Sequence, residues 1–248
     1  MISISPAASF RIILCRPSHP GNIGGVARAM KNMGLSQLSL VQPLCEINAD
    51  AYARASGAGS VLDEAQIYTT LPDALSHCVD SFGFTSRRRE RIARLYPLRE
   101  AVTHAYEKAV HGPVAFVFGN ETNGLTIEEL SNCQSMVYIP ANPEYASLNL
   151  AAAVQLLSYE LYVAQSVIPT INYDVTASPP AQQQHLSHLM KSLENMLLES
   201  GYLDPNNPKQ LMTRLQRFIH RARVEEEEVH LLTGIFETVR KKLARSVK

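Results

Sequence analysis

Short apolar runs alternate with helix-sized segments through the first two thirds of the chain. Between Arg11 and Pro140 these runs are RIILC, QLSLV, VDSFGFT, VAFVFG and MVYIP. Runs this short, rich in Val, Ile and Phe, are typical of strands whose two faces are both covered by helices. The pattern predicts an α/β fold with a mostly parallel sheet, in which ligands bind where loops leave the carboxyl ends of the strands.

The pattern changes after this region. Residues 166–184 contain three prolines and no sustained periodicity, which predicts a linker. Residues 185–248 show three helical patterns: the first stops at Ser200-Gly201, the second starts at Asn207-Pro208, and the third follows an acidic run. We therefore predict a larger domain over residues 1–165, the linker, and a small all-α module that binds RNA or supports a dimer.

The second helix of this module carries two stripes at helical spacing. One is apolar, and we expect it to face the core: Leu211, Leu215, Phe218 and Ala222. The other is basic, and we expect it to point away from the core: Arg214, Arg217 and Arg221. A solvated charged face and a surface that contacts phosphates explain the basic stripe equally well.

Composition limits the function classes only loosely. The 23 Lys and Arg residues balance 23 Asp and Glu residues, so any attraction to a polyanion must come from local patches. The four cysteines are far apart and form no C-x-x-C pair, which favours buried free thiols in a reducing compartment over disulfides or a zinc site. The chain shows neither a signal-peptide pattern nor a long apolar span, and we expect a cytoplasmic protein.

The first candidate motif, His19 to Gly34, directly follows the strand RIILC. Gly21, Gly24 and Gly25 predict a tight turn that approaches a ligand, and a helix starting near Ile23 would offer free amides to an anion. The spacing does not match the dinucleotide-binding G-x-G-x-x-G pattern. Arg28 follows on this helix, where it either extends into solvent or acts in a site.

Two further motifs follow later strands. F-V-F-G-N-E-T-N-G-L-T places polar residues between Gly119 and Gly124, which favours a loop facing a ligand. I-P-A-N-P-E-Y-A-S-L-N-L leads into an alanine-rich helix expected to begin near Ser147, where a helix-capping role competes with a catalytic one. Asn149 is equally well explained as a polar surface residue.

Together the three segments form a specific pattern: N-x-G-x-x-A-R, then G-N-E-x-x-G-L, then I-P-A-N-P-E-Y-x-S-L-N-L. This pattern resembles the three signature motifs of SPOUT-class (TrmH-like) RNA 2′-O-ribose methyltransferases. With T-S-R after the middle strand and a helical C-terminal module, the layout most resembles the TrmJ group of that class, whose members methylate tRNA in the anticodon loop.

The resemblance implies a fold, a cofactor and an assembly. It implies a C-terminal trefoil knot in the sheet domain, S-adenosylmethionine as methyl donor, tRNA as substrate with nucleotide 32 as target, and a homodimer whose protomers complete each other's sites. Carried over by motif, the cofactor-binding residues are Thr85, Ser86, Arg87, Gly119, Ile139, Ala146, Ser147 and Leu148. The residues expected around the target ribose, our catalytic candidates, are Arg28, Asn22, Glu121, Ser147 and Asn149.

A basic run follows the middle strand, and Arg87 stands where a small residue is commoner in the family. We predict that this run contacts RNA, together with the basic stripe of the C-terminal module, through Arg88, Arg89, Arg91, Arg214, Arg217 and Arg221. No metal is expected. Methylation of another tRNA position or of rRNA is the nearest alternative, and a non-catalytic RNA-binding protein is the alternative from another class.

Overall fold

The computed structural model describes residues 9–86, 94–167, 179–204 and 210–246. The chain divides into two compact units, Met1–Asn172 and Tyr173–Lys248. The boundaries predicted from the sequence place the end of the first domain at residue 165 and the start of the helical module at residue 185. These exact boundaries stay a prediction, and residues 168–178 of the predicted linker lie outside the described residues.

The described part of the first unit contains seven strands in one sheet: β1 (Phe10–Cys15), β2 (Gln37–Val41), β3 (Gln66–Tyr68), β4 (Asp80–Phe84), β5 (Arg94–Pro97), β6 (Val114–Phe118) and β7 (Ser135–Tyr138). Their order across the sheet is β3-β2-β1-β6-β4-β7-β5, and every neighbouring pair is parallel. The predicted mostly parallel α/β sheet is confirmed. The trefoil knot implied by the resemblance stays a prediction.

The helices of this unit connect the strands and cover the sheet. They are α1 (Pro20–Asn32), α2 (Ala49–Ala55), α3 (Gly59–Asp63), α4 (Leu71–Leu75), α5 (Leu98–Ala109), α6 (Ile127–Ser131) and α7 (Leu150–Val167). Strand β1 shows why its run is apolar throughout: Ile12 and Leu14 join the core beneath α1 and α7, while Ile13 and Cys15 join the core beneath α4 and α6. Because both faces of the sheet are buried, the strand shows no alternation of apolar and polar residues.

The described part of the second unit contains three helices, α8 (Gln183–Glu199), α9 (Leu211–Ala222) and α10 (Glu226–Ser246), which confirms the predicted helical C-terminal region. Its core includes Leu186 and Leu189 of α8, together with Ile219, Val224 and Val229. Among the residues that the structure describes, neither unit has a helix with the length and apolarity needed to cross a membrane.

The cysteines are free, as predicted, and three of them are buried: Cys15, Cys78 and Cys133. Burial raises the pKa of Cys15 to about 12 and that of Cys78 to about 11. These thiols therefore stay protonated at neutral pH and act as small apolar core residues.

Candidate active site

The carboxyl ends of β4, β6 and β7 surround one cavity of about 370 Å³, closed on another side by the segment before α7. Its volume lies in the usual range for small-molecule sites. Seven of the eight predicted cofactor residues line it: Thr85, Ser86, Gly119, Ile139, Ala146, Ser147 and Leu148. The eighth, Arg87, lies outside the described residues.

Part of the cavity wall is apolar. Phe84 and Phe118 line it at the ends of β4 and β6, with their rings stacked and centroids 4.1 Å apart. Leu150 and Ala153 of α7 also contribute to the lining. These four residues were absent from our sequence-based set, although their positions next to the motif residues were a signal that would have found them.

The loop after β6 is closed by direct backbone contact. A Cβ atom on Gly119 would lie 2.0 Å from the carbonyl carbon of Gly124, so only glycine fits there. Asn120 is buried, donates a 2.8 Å hydrogen bond to the Arg16 carbonyl oxygen and accepts one from the Thr122 amide. The Asn120 side chain therefore holds the loop in shape.

Arg16, the residue after β1, binds the far end of the same loop. Its Nε and Nη2 atoms donate to the two carboxylate oxygens of Glu129, each at 2.9 Å, and Nη2 also donates to the Gly124 carbonyl oxygen. Hydrogen bonding to Glu129 raises the pKa of Arg16 above its ordinary value. Sequence reasoning did not identify Arg16 or Glu129, because the pairing joins positions 113 residues apart.

Glu121 projects from this loop to the start of α1. Its carboxylate accepts hydrogen bonds from the Ser18 amide and hydroxyl, the His19 amide and the Asn22 side chain. The amides just before α1 therefore bind a carboxylate of the protein itself, and the helix begins at Pro20 and not near Ile23 as expected. Burial favours a raised pKa for Glu121, but the hydrogen bonds from Asn22, its own backbone amide and Ser18 outweigh burial and lower its pKa.

Asn149 links the third motif to the other two. Its Oδ1 accepts hydrogen bonds from the Ala151 and Ala152 amides and so caps α7, while its Nδ2 donates to Asn22 Oδ1 at 3.1 Å. The expected helix start near Ser147 is wrong: α7 begins at Leu150. Ser147 does not cap this helix and instead lies exposed at the cavity wall.

The glycines of the first motif have a different role from the one predicted. Helix α1 begins at Pro20, whose fixed backbone angle suits a first helical turn, so Gly24 and Gly25 lie inside the helix and not in a turn. A Cβ atom on Gly24 would lie 2.0 Å from the Ala51 carbonyl oxygen, and one on Gly25 would lie 2.9 Å from the Ala151 Cβ atom. The glycines let α1 pack closely on α2 and α7.

Arg28 lies on the exposed face of α1, one turn beyond Gly25. Within the described part of the chain, no residue forms a hydrogen bond or an ion pair with its guanidinium. The hydrogen-bonded chain of Asn149, Asn22 and Glu121 fixes the first turns of the same helix. The structure thus brings the five catalytic candidates onto three segments that are tied to each other beside the cavity.

The predicted RNA-binding residues fall into two groups. Arg88, Arg89 and Arg91 lie outside the described residues. On α9, Arg214 and Arg221 are exposed and Arg217 is half-buried. The predicted apolar stripe of α9 is wrong, because Phe218 is 55% exposed and Ala222 is exposed as well. The helix buries Ile219 and His220 instead, which turns its core face by about one residue.

Comparisons with known proteins agree with this arrangement. Residues 9–159 match the SpoU rRNA Methylase family, and residues 184–248 match the C-terminal domain of the tRNA methyltransferase TrmJ. The chain is 45% identical over 246 residues to a tRNA (cytidine/uridine/adenosine-2′-O-)-methyltransferase TrmJ of Pseudomonas aeruginosa, covering 96% of this chain and 95% of the relative. It is 41% identical to the tRNA (cytidine/uridine-2′-O-)-methyltransferase TrmJ of Pectobacterium atrosepticum, covering 94% and 97%.

A solved structure gives the same result for the fold. The crystal structure of TrmJ from Z. mobilis ZM4 superposes with a TM-score of 0.83 at 32% identity and covers 94% of this chain and 99% of that one. Both units of the chain thus have counterparts in proteins of one kind. The chain belongs to the SpoU methylase family and carries, in its second unit, the C-terminal domain of the TrmJ tRNA methyltransferases.

Proposed function

We propose that this protein transfers a methyl group from S-adenosylmethionine to the 2′-oxygen of a ribose in tRNA, at nucleotide 32 of the anticodon loop. The observation that carries the proposal is the junction of three motif segments at one cavity, tied together by Asn149, Asn22 and Glu121. The names of the relatives support tRNA and the 2′-oxygen as targets. The choice of nucleotide rests on the resemblance of the motifs.

The cavity suits the proposed cofactor. Peptide groups at the ends of three strands can form fixed hydrogen bonds to an adenine and to an amino-acid group, and the apolar wall of Phe84, Phe118 and Leu150 suits the adenine ring. S-adenosylmethionine would supply an electrophilic methyl group on a sulfonium. We assign its binding to the seven predicted residues that line the cavity.

Some residues around the cavity face the RNA, and others hold those residues in position. Arg28 has an exposed guanidinium, so we assign it to a phosphate or to negative charge developing at the 2′-oxygen, and not to the role of a base. Ser147 is exposed at the cavity wall and can donate a hydrogen bond to the ribose. Asn149, Asn22 and Glu121 hold α1 and α7 in register, so that Arg28 and Ser147 face one substrate.

Glu121 acts through position and not as the proton acceptor. Its carboxylate oxygens already accept hydrogen bonds from two backbone amides and two side chains, and its pKa is lowered, which makes it a weaker base than an ordinary carboxylate. The positive end of the α1 dipole also stabilises the ionised form of Glu121. We therefore move Glu121 from the catalytic candidates to the positioning residues.

We also propose a homodimer formed through α7, in which each protomer completes the other's site. One face of this helix is buried in its own unit by Leu150, Val154, Leu157 and Leu161. The opposite face exposes a group of large apolar side chains: Leu156, Tyr159, Tyr162 and Val163. A continuous apolar face of this kind is typical of a protein interface. Location in the cytoplasm and independence from a metal stay predictions.

The test is methyl transfer from labelled S-adenosylmethionine to unmodified tRNA transcripts, with the modified nucleotide mapped by nuclease digestion and mass spectrometry. The wild type should methylate a ribose at nucleotide 32, and Arg28→Ala should lower kcat about 100-fold because a group that stabilises charge in the transition state is lost. Arg28→Lys tests whether charge alone suffices. Arg54→Ala, which removes an exposed arginine of α2, serves as the control and should leave kcat unchanged.

Each result separates the alternatives. If a ribose is methylated at another tRNA position, or in rRNA, the proposed 2′-O-methyl transfer holds but the proposed substrate position is wrong. Binding of tRNA without transfer to any RNA supports the non-catalytic RNA-binding protein. Retention of full activity in Arg28→Ala would contradict the role assigned to Arg28.

A further inference from the structure

The second unit has a cavity of its own, between α8 and α9. It has a volume of about 320 Å³ and lies entirely within this unit. Its wall combines apolar and polar side chains, among them Leu186, Met190, Met212, Gln183, Gln216 and His220. None of these residues takes part in the cavity of the first unit, so the proposed methyl transfer leaves this second site unexplained.

Gln183 gives the strongest sign that the cavity binds something. The residue is 5% exposed, and within the described residues its Oε1 atom is buried without a hydrogen-bond partner. A buried amide oxygen without a donor destabilises a folded protein, and such groups are rare outside binding sites and water sites. Because Gln183 lines the cavity, a turn of its amide toward the cavity would let this oxygen accept a hydrogen bond from an N–H group of a ligand.

The rest of the wall, which includes the Lys191–Glu194 ion pair, indicates a ligand with an apolar face and a polar edge. Met190 and Met212 offer adaptable thioether surfaces, which pack well against rings. The Gln216 amide carries both a donor and an acceptor beside them. Unstacked nucleobases have this combination of an apolar face and a hydrogen-bonding edge, and proteins recognise single-stranded RNA loops by binding such bases.

The charge next to the cavity matches a nucleotide. On α9 the cavity residues Met212, Gln216 and His220 follow one another at one-turn spacing, and Arg217 directly follows Gln216 along the helix. Arg214 and Arg221 are exposed along the neighbouring face and form a basic ridge, while Arg217 between them is half-buried. A base in the cavity would place its phosphates near a row of guanidinium groups, which bind phosphates well.

We propose that the cavity between α8 and α9 binds one unstacked nucleobase of the RNA substrate, while the basic ridge binds the adjoining phosphates. The proposal rests on the proposed function, since it takes tRNA as the substrate, and it deepens that function by giving the second unit a nucleotide-binding site. It also selects RNA binding over dimer support as the role of this unit.

Two variants of the full-length protein test the proposal. Gln183→Leu removes the buried amide oxygen, and Ser187→Phe fills the cavity from an exposed position of α8. His188→Phe, at the next and equally exposed position, adds the same ring away from the cavity and is the matched control. We would measure the Kd for an unmodified tRNA transcript, the melting temperature, the oligomeric state by light scattering, and methyl transfer at saturating tRNA.

We expect both cavity variants to raise the Kd for tRNA about tenfold, the scale of one lost base contact, while His188→Phe binds like the wild type. Gln183→Leu should melt no lower than the wild type, because it removes an unpaired buried group. At saturating tRNA both variants should keep the wild-type rate of methyl transfer.

Other results would overturn the proposal in distinguishable ways. If Gln183→Leu melts higher but binds tRNA like the wild type, the oxygen meets only water. If either variant changes the oligomeric state, the cavity belongs to an interface with a second copy of the chain. If the wild type itself does not bind tRNA, the proposed function fails first, and this inference fails with it.

Discussion

Glu121 shows how one ionised side chain can join two sequence motifs. Its lowered pKa means that the folded chain holds the charged form more strongly than the unfolded chain does. The carboxylate therefore stabilises the fold at pH values above its ordinary pKa of 4.5, and this stabilisation is lost as the pH falls through the lower, folded pKa. The stabilised segment is the start of α1, where Ser18, His19 and Asn22 donate hydrogen bonds to the carboxylate.

We predict that Glu121→Gln lowers the free energy of unfolding by about 2 kcal/mol near neutral pH. The glutamine side chain cannot form the charge-assisted hydrogen bonds, and its own N–H groups would point toward other hydrogen-bond donors. The difference from the wild type should shrink below pH 4.5, where protonation removes the same charge from the wild type. Urea unfolding at several pH values measures both effects.

The control for this prediction is Glu46→Gln, an exposed glutamate of the loop after β2. It removes one negative charge from the same unit and should change the unfolding free energy little. A loss in Glu121→Gln that persists unchanged under acidic conditions would show that the shape of the side chain, and not its charge, stabilises the loop.

At the residue scale, the sequence indicated which side chains gather at the site but not how they pair. The motifs named Asn22, Glu121 and Asn149, and the structure joins these three in one hydrogen-bonded chain. The cap of α7 was predicted at Ser147, since serine and asparagine are about equally good caps and the two positions are close in sequence. In the structure the helix starts at Leu150, which places Asn149 at the capping position.

At the scale of elements, Arg16 joins the end of β1 to α6 across the sheet. Its side chain binds Glu129, which also accepts a hydrogen bond from the Thr126 amide in the capping box of α6. Its carbonyl oxygen meanwhile binds Asn120 at the other end of the loop. The pair is partly buried, so it is worth more than an exposed ion pair.

We predict that Arg16→Ala lowers the free energy of unfolding by about 2 kcal/mol and weakens the binding of S-adenosylmethionine, because the loop of Gly119 to Gly124 loses one anchor. Arg16→Lys should recover part of both, since lysine keeps the charge but not the two-pronged geometry. Urea unfolding gives the stability, and isothermal titration calorimetry gives the cofactor affinity.

The exposed pair Arg99–Glu160 provides the comparison. Arg99 is 85% exposed at its side chain, and Arg99→Ala should cost about 0.5 kcal/mol or less without affecting the cofactor. Equal losses in Arg16→Ala and Arg99→Ala would mean that Arg16 contributes no more than a surface charge.

The five strands predicted from apolar runs are β1, β2, β4, β6 and β7, and all are found. The two strands that the sequence did not reveal, β3 and β5, lie at the two edges of the sheet. They have three and four residues, and Ile67 of β3 is 65% exposed, so neither leaves an apolar run long enough to recognise. On α9 the stripe was misplaced because Leu211, Phe218 and Ile219 allow two apolar faces of similar strength.

At the scale of the whole molecule, the two faces of α7 have different roles. Its inner face packs in the core of the first unit, and Asn149 caps its first turn. Its outer face exposes Tyr159 and Tyr162 to 51% and 56%. A dimer formed on this face would bring a second protomer against the helix whose first turn borders the candidate active site.

We predict that Tyr159→Glu converts the proposed dimer into monomers, because a charge placed in an apolar interface must be desolvated. Light scattering at several concentrations measures the mass, and methyl transfer in the same samples shows whether the site depends on the partner. Tyr202→Glu, on an exposed tyrosine of the second unit, is the control and should leave the mass unchanged. The wild type running as a monomer, or Tyr159→Glu remaining a fully active dimer, would contradict this interface. A monomeric variant that still binds S-adenosylmethionine but no longer methylates tRNA would place the partner's contribution at the RNA side of the site.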